Sequence, residues 1–344
     1  MQEKAVNTTA LKWCERILGQ SQERIERWAP LRVEASQRKF YRLYTKFRQS
    51  GSPQKPFNRT ARTLILMDSP PKLERNDQFC ALAKLFHQHE VPVPEIVAQS
   101  DSNGWFLLTD LGETHLEDCY ATTQHNHGLN AAVNQLPIIA AIQDSLIKPY
   151  DTDRLAMELD LFQRWFVAGM LGTTLASAGW VDVCRRLIES ADMQPKGCIH
   201  RDYHCRNLLF ESGKLGVVDF QDALHGPILY DIASLLRDCY YVFDEAEIDI
   251  WLEQFVSRTP PLKDLPPDIV RQWFDWIALQ RQLKAVGIFS RLHLRDGKSS
   301  HLGHILPVLI RVRDLAQQYD EFGAFALQLN DCIKLTPAAL AKAQ

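Results

Sequence analysis

Two short apolar runs, Leu208-Leu209-Phe210 and Leu215-Gly216-Val217-Val218, flank a polar stretch, Glu211-Ser212-Gly213-Lys214. This pattern predicts a β-hairpin with a four-residue loop. A hairpin folds its far ends together, so Asn207, ahead of the first strand, and Asp219, after the second, are expected to become neighbours. Asp202 stands one loop-width before Asn207. The chain is thus expected to gather an amide and two carboxylates at one end of a buried ribbon.

Hard oxygen donors of this kind suit magnesium, which keeps several waters and completes its shell with phosphate oxygens. A carboxylate for an acceptor hydroxyl, followed by an amide and a second carboxylate for the metal, is the layout that phosphoryl transfer requires. A lone Asp beside a strand is ordinarily a turn residue or a cap. Here order, spacing and flanking apolar runs agree, which favours the functional reading: Asp202 as base, Asn207 and Asp219 as metal ligands. His200 is expected to hold the loop backbone and not to move a proton.

The motif His200-x-Asp202-x4-Asn207 followed by Val218-Asp219-Phe220 resembles the aminoglycoside and choline phosphotransferase family, a branch of the protein-kinase-like fold. Further segments match in order: Met67 to Pro71, Leu108 to Gly112, Glu158 to Phe162, Asp219 to Ala223, Tyr230 to Asp238 and Gly287 to Arg291. Together they are similar to the bacterial N-acetylmuramate/N-acetylglucosamine anomeric kinases of cell-wall recycling. The resemblance runs roughly from Val33 to Val312. It implies an α+β, bilobal protein-kinase-like fold, with an antiparallel sheet in a small N-lobe and a larger, mainly helical C-lobe. It also implies ATP and Mg2+ as cofactors, an amino sugar as acceptor and a sugar 1-phosphate as product.

The chain has 344 residues, 46% hydrophobic and 24% charged, with a formal net charge of −3. That length supports two lobes. The balanced charge is not a nucleic-acid footprint. Met1 to Ala10 is polar and no apolar run would span a bilayer, so a cytoplasmic protein without a membrane partner is expected, acting as a monomer. The eight cysteines form no CxxC pair and read as reduced thiols. A metal cluster from Cys198, His200, His204 and Cys205 is disfavoured because structural zinc draws on spaced ligand pairs.

The pattern places an N-terminal lobe over residues 1–110 and a C-terminal catalytic and acceptor lobe over 111–344. A helix is predicted over Leu11 to Trp28, a hairpin over Leu31 to Lys46, a loop over Arg48 to Arg59 and a strand over Thr60 to Asp68. A helix over Asp77 to His89 and strands at Ile96 to Ala98 and Trp105 to Thr109 follow. Helices are then predicted at Leu129 to Leu146, Asp153 to Met170, Val181 to Ala191, Ile232 to Tyr241, Glu245 to Val256, Pro267 to Ile288 and Leu302 to Tyr319.

The segment Leu107 to Gly112 is the expected hinge, with Leu108, Asp110 and Leu111 offering the nucleotide its backbone. The N-lobe departs from the kinase pattern. Met67 stands about where a phosphate-binding Lys would, and no GxGxxG loop is present. The matching turn, Glu34 to Arg38, lacks the Gly of the related sugar-kinase loop. Phosphate contacts are therefore expected from backbone N–H groups near Ser36 and from Arg38, Lys39 or Arg42.

On the acceptor side, Glu158 and Trp165 are seven apart on one predicted helix and would share a face. His204 follows the catalytic Asp. The lactyl carboxylate of a muramate would find a cation in Arg281, Lys284 or Arg291. Asp222 is expected to fix its turn or reach a second metal or water. Asp231 is read as a helix cap, and the resemblance implies that it also braces the catalytic loop.

Only about ten residues separate Asp219 from the helix at Ile232, too few for the peptide platform of a protein kinase. Two alternatives remain open: another acceptor such as choline, homoserine or an aminoglycoside, and a pseudokinase that binds without turnover.

Overall fold

The computed structural model describes residues 7–31, 37–47 and 62–343. The expected turn at Glu34 to Ser36 and the expected loop over Arg48 to Arg59 lie outside them. The chain divides into two compact units. One comprises Met1–Glu113 with Gly216–Gln221, the other Thr114–Leu215 with Asp222–Gln344.

The first unit contains α1 (Thr8–Gln20), β1 (Glu23–Pro30), β2 (Lys39–Phe47), β3 (Arg62–Asp68), α2 (Asn76–Gln88), β4 (Ile96–Ser100) and β5 (Trp105–Thr109). Its antiparallel sheet runs in the order β1-β2-β3-β5-β4. Alternate residues of three strands, Tyr41 and Leu43, Leu64 and Leu66, Trp105 and Leu107, turn to one face and pack on Ala10, Trp13, Cys14 and Leu18 of α1. Phe106 turns to the other face, where Phe79 of α2 meets it at 5.8 Å.

The helix predicted over Leu11 to Trp28 is too long. Asn7 caps its start by accepting from the Thr9 and Ala10 amides. The chain leaves it at Gln22, with φ 59°, and Glu23 opens an edge strand. Charged residues along β1 disguise it in sequence, and its pairing with β2 overrides their helical look.

The second unit contains α3 (Leu116–Cys119), α4 (His125–Ala140), β6 (Lys148–Pro149), α5 (Thr152–Leu161), a π-helix (Phe162–Met170), α6 (Ser177–Met193) and β7 (Lys196–Ile199). It continues with β8 (Leu208–Glu211), β9 (Lys214–Val217, whose last two residues belong to the first unit), β10 (Leu224–Pro227), α7 (Tyr230–Leu236), α8 (Glu245–Ser257), α9 (Pro267–Asp296), α10 (Ile305–Ala316) and α11 (Gly323–Ala343). Strands β8 and β9 pair as a two-stranded ribbon. Their link is Ser212-Gly213, with φ 52° and 77°. A two-residue left-handed turn replaces the expected four-residue loop, because such a turn matches the twist of its strands.

Helix α9 has 30 residues, a rod of about 45 Å. It outruns the predicted end at Ile288 and stops at Gly297, whose left-handed φ of 65° closes it. The sequence does not announce α11, which packs through Phe325 against Trp180 of α6.

Gly287 of α9 is fixed by close approach. A Cβ there would lie 2.4 Å from the Leu161 carbonyl carbon and 2.6 Å from the Phe162 nitrogen. The neighbours are backbone and have no rotamer to give. Gly287→Ala should therefore cost roughly 1–3 kcal/mol or more. Urea unfolding checks this, and a change under about 0.5 kcal/mol would show that α5 yields freely at this crossing.

Candidate active site

In the second unit, the loop from Cys198 to Asn207 is held at three points. Asp231, in the first turn of α7, accepts the backbone amides of His200 at 2.5 Å and Arg201 at 2.9 Å. Asp238 accepts the Cys205 amide at 3.0 Å. Arg201 adopts φ 77°, a left-handed conformation costly for a residue with a side chain. Its guanidinium is tied to Glu158 at 2.7 Å and to the Asp222 carbonyl at 3.2 Å. Both ends of this strained residue are thus pinned.

The same anchors set the charge state. Burial alone would raise the Glu158 carboxyl, but Lys284 and Arg201 outweigh it and hold the group below its ordinary value. Lys284 of α9 meets Glu158 at 3.1 Å and donates to the Tyr230 hydroxyl at 3.1 Å. The Tyr150 hydroxyl also donates to Glu158. Both Glu158 oxygens, expected to meet the acceptor, are engaged by the chain itself.

Among the described residues, none donates a hydrogen bond or pairs in an ion pair to the half-buried Asp202 carboxylate. Burial opposes its ionisation. Lys284, His204, Arg201 and Arg281 overcome that and bring its pKa down to about 2. The backbone amide of Asp202 donates to His200 Nδ1 at 3.3 Å, so that ring nitrogen is the unprotonated one. Asn207 donates Nδ2 to the Asp202 carbonyl at 3.0 Å and lies 3.4 Å from His204 Nε2. Its Oδ1 has no hydrogen-bond partner among the described residues, which leaves an oxygen of the kind a hard cation takes. No group of three or more His, Cys, Asp or Glu among the described residues is arranged to hold a metal.

Trp165 does not follow the seven-residue argument. That argument assumed one α-helix, whereas α5 passes into the π-helix after Leu161. The wider turn rotates Trp165 away from the face of Glu158. Instead Arg164 lies over its ring at 5.5 Å.

In the first unit, Asp219 has φ 65° and accepts Gln221 Nε2 at 2.8 Å. Gln78 donates to the Gln221 carbonyl at 2.9 Å. Phe220 stacks on Phe79 at 5.3 Å and touches Phe86 at 5.7 Å. The segment carrying Asp219 is thereby locked against α2.

Among the expected nucleotide groups, Ser36 lies outside the described residues. Arg38 is buried, donating to Ser69 Oγ at 3.2 Å and pairing with Glu74 at 3.5 Å. Arg42 grips Asp110 at 2.6 and 3.0 Å, the Gly112 carbonyl at 2.6 Å and Glu113 at 2.6 Å. Its donors serve the 110–113 segment, a role the sequence does not signal. Leu108 is buried in β5, paired with Ile65 and Ile96. Leu111 packs so close to Gly216 that a Cβ on the glycine would lie 2.8 Å from its own. Met67 is buried within β3, so no cation stands at that point of the strand.

A profile of the phosphotransferase enzyme family (APH) matches residues 27–261. The chain belongs to this family. A relative from Pseudomonas aeruginosa named N-acetylmuramate/N-acetylglucosamine kinase is 36% identical over 252 residues, covering 71% of this chain and 74% of the relative. One of the same name from Neisseria meningitidis serogroup B is 33% identical over 270 residues, covering 75% and 80%. Among solved structures, choline kinase LicA from Streptococcus pneumoniae aligns with TM-score 0.63 at 11% identity, over 91% of this chain and 100% of that one. The ADP-bound aminoglycoside phosphotransferase APH(2'')-Ib aligns with TM-score 0.58 at 12% identity, over 92% and 99%. The fold is that of the protein-kinase-like aminoglycoside and choline kinases, and the protein is a phosphotransferase that acts on a hydroxyl acceptor. No helix among the described residues is long and apolar enough to cross a membrane.

Nothing in the sequence marks Arg201 or Asp238 as anchors. Arg201 sits inside the motif and is legible as a neighbour, but its left-handed backbone is not. Asp231→Ala would orphan two buried amides and should cost about 2–4 kcal/mol. Asp231→Asn, which keeps one acceptor oxygen, should cost less, and urea unfolding of the pair checks the order.

Asp202 supplies a pH test. Its folded pKa is depressed from 3.8 to about 2, so its ionised form adds stability above pH 3.8 that is lost as pH falls toward 2. The stability gap between the parent and Asp202→Asn should therefore shift against the parent on acidification through that window. A gap constant with pH would show that the cations around Asp202 leave its titration unchanged.

Proposed function

We propose that the protein transfers the γ-phosphoryl group of ATP to the anomeric hydroxyl of N-acetylmuramate or N-acetylglucosamine, giving the sugar 1-phosphate. The observation that carries this reading is the Asp202 carboxylate: ionised, without a hydrogen-bond or ion-pair partner among the described residues, and mounted on a loop clamped through its backbone. Two relatives above 30% identity bear the name of that amino-sugar kinase. The choline and aminoglycoside kinases share the fold at 11–12% identity and carry no argument about the acceptor. On this reading the protein acts in cell-wall amino-sugar recycling, in the cytoplasm.

In this mechanism Asp202 orients the acceptor hydroxyl and accepts its proton late in transfer. His204, two residues on, binds a further acceptor hydroxyl. Asn207 and Asp219 would hold magnesium, which would supply charge neutralisation to the phosphate oxygens. The backbone at Leu108, Asp110 and Leu111 receives the adenine. Arg42 keeps that segment in shape. Because the transition state is loose, most of the rate comes from positioning and charge neutralisation.

The test is ADP release with N-acetylmuramate, N-acetylglucosamine, choline, homoserine and kanamycin. A 1-phosphate product from either sugar is expected. Asp202→Ala should lower turnover by about 10²–10⁴-fold while leaving ATP affinity within threefold. Turnover of non-sugar acceptors alone would overturn the acceptor assignment. Full activity of Asp202→Ala would overturn the mechanism.

A further inference from the structure

Several buried or half-buried cations of the second unit have anionic or carbonyl partners, and Arg281 does not. Lys284 and Arg201 share Glu158. Arg237 meets Asp275 at 2.9 Å. Arg311 donates to the Asp238 and Cys239 carbonyls at 3.1 and 3.2 Å. Arg281 of α9 is only 6% exposed, yet among the described residues its one hydrogen bond runs from Nη1 to Cys239 Sγ at 3.9 Å. No carboxylate among the described residues pairs with it. A buried guanidinium held by a thiol alone is costly. Burial opposes its charge, but Cys239, Asp238, Tyr230 and Asp202 more than offset this and raise its pKa, so it stays protonated.

The position of this guanidinium matters more than its cost. Cys239 lies between Asp238, which holds the Cys205 amide, and Tyr240, whose ring meets the edge of His204 at 5.3 Å. Arg281 thus lies against the segment that braces the Asp202 loop. Lys284, three residues along the same helix, is already spent on Glu158 and Tyr230. Arg291 is only half-buried.

We propose that Arg281 is the oxyanion receptor of this site, completed only when substrate brings a carboxylate or phosphoryl oxygen beside Asp202. The proposal rests on the amino-sugar kinase reading above. An oxyanion there gains charge-assisted, potentially bidentate hydrogen bonds in a water-poor setting. Two groups fit that chemistry: the carboxylate of N-acetylmuramate, which N-acetylglucosamine lacks, and the phosphoryl group in transfer.

Steady-state constants of Arg281→Gln with both sugars distinguish the two. If the acceptor carboxylate is the ligand, the kcat/KM ratio of N-acetylmuramate over N-acetylglucosamine falls at least tenfold. If the phosphoryl group is the ligand, kcat falls at least tenfold with both sugars while each KM moves less than threefold. In either case Arg281→Lys recovers part of the loss. A second measurement needs no variant: for the carboxylate case, the methyl ester of N-acetylmuramate should be at least tenfold poorer than the free acid with the unaltered protein. Constants within threefold for Arg281→Gln overturn the proposal. So does a loss that tracks a lowered melting temperature and is not relieved by Arg281→Lys, which marks a packing role. An unaltered protein that phosphorylates neither sugar overturns the acceptor reading itself, a failure separate from the other two.

Discussion

The loop from His200 to Asn207 depends on one carboxylate. Asp231 takes two consecutive backbone amides, those of His200 and Arg201, one on each carboxylate oxygen. Arg201 itself is bent into the left-handed region, at φ 77°. Its side chain reaches Glu158 at 2.7 Å. The strain is local and is offset by the ionic contacts that Arg201 then makes. A buried acid thus fixes the aim of a second acid without touching its oxygens.

Charge distribution around this loop follows from the same anchoring. Arg201, Lys284 and Arg281 surround Asp202 electrostatically, while Glu158 neutralises only part of them. A carboxylate amid excess positive charge stays ionised far below neutral pH. It is then a weak base in its resting state, which suits late proton acceptance more than early abstraction. The cations that depress its basicity are also those that would welcome an incoming anion, so base strength and anion affinity are set together.

How much of this the sequence discloses depends on the range of the interaction. The ribbon of β8 and β9 is legible because apolar runs and a Gly-containing break are local signals. Its turn length is not, since Ser212 gives no sign that it accepts positive φ. The sheet of the first unit is legible from Thr60 onward, where strands are apolar and bounded by turn residues. It is obscured at β1, where an edge strand rich in charge looks helical. The internal partners of Glu158, Arg38 and Arg42 are not legible for one reason: sequence supplies the charge but not the group it meets in the fold. Asp110 and Arg42 lie far apart in the chain, and only the sheet brings them together. Helix α9 was the converse case. Its buried Asp275, Gln280, Arg281 and Lys284 leave no clean apolar stripe, so its length and depth are set by long-range contacts.

The π-helix at Phe162–Met170 bears on how this family is compared. A wide turn holds more residues per revolution than the α5 turns before it, so side chains on either side of Leu161 belong to different stripes of the cylinder. Relatives that keep α geometry here would need a gap placed within this helix, not in a loop, before equivalent positions coincide. An ungapped alignment would mispair every residue from Trp165 to the end of the helix while still appearing sound, because both registers present aromatic and apolar residues.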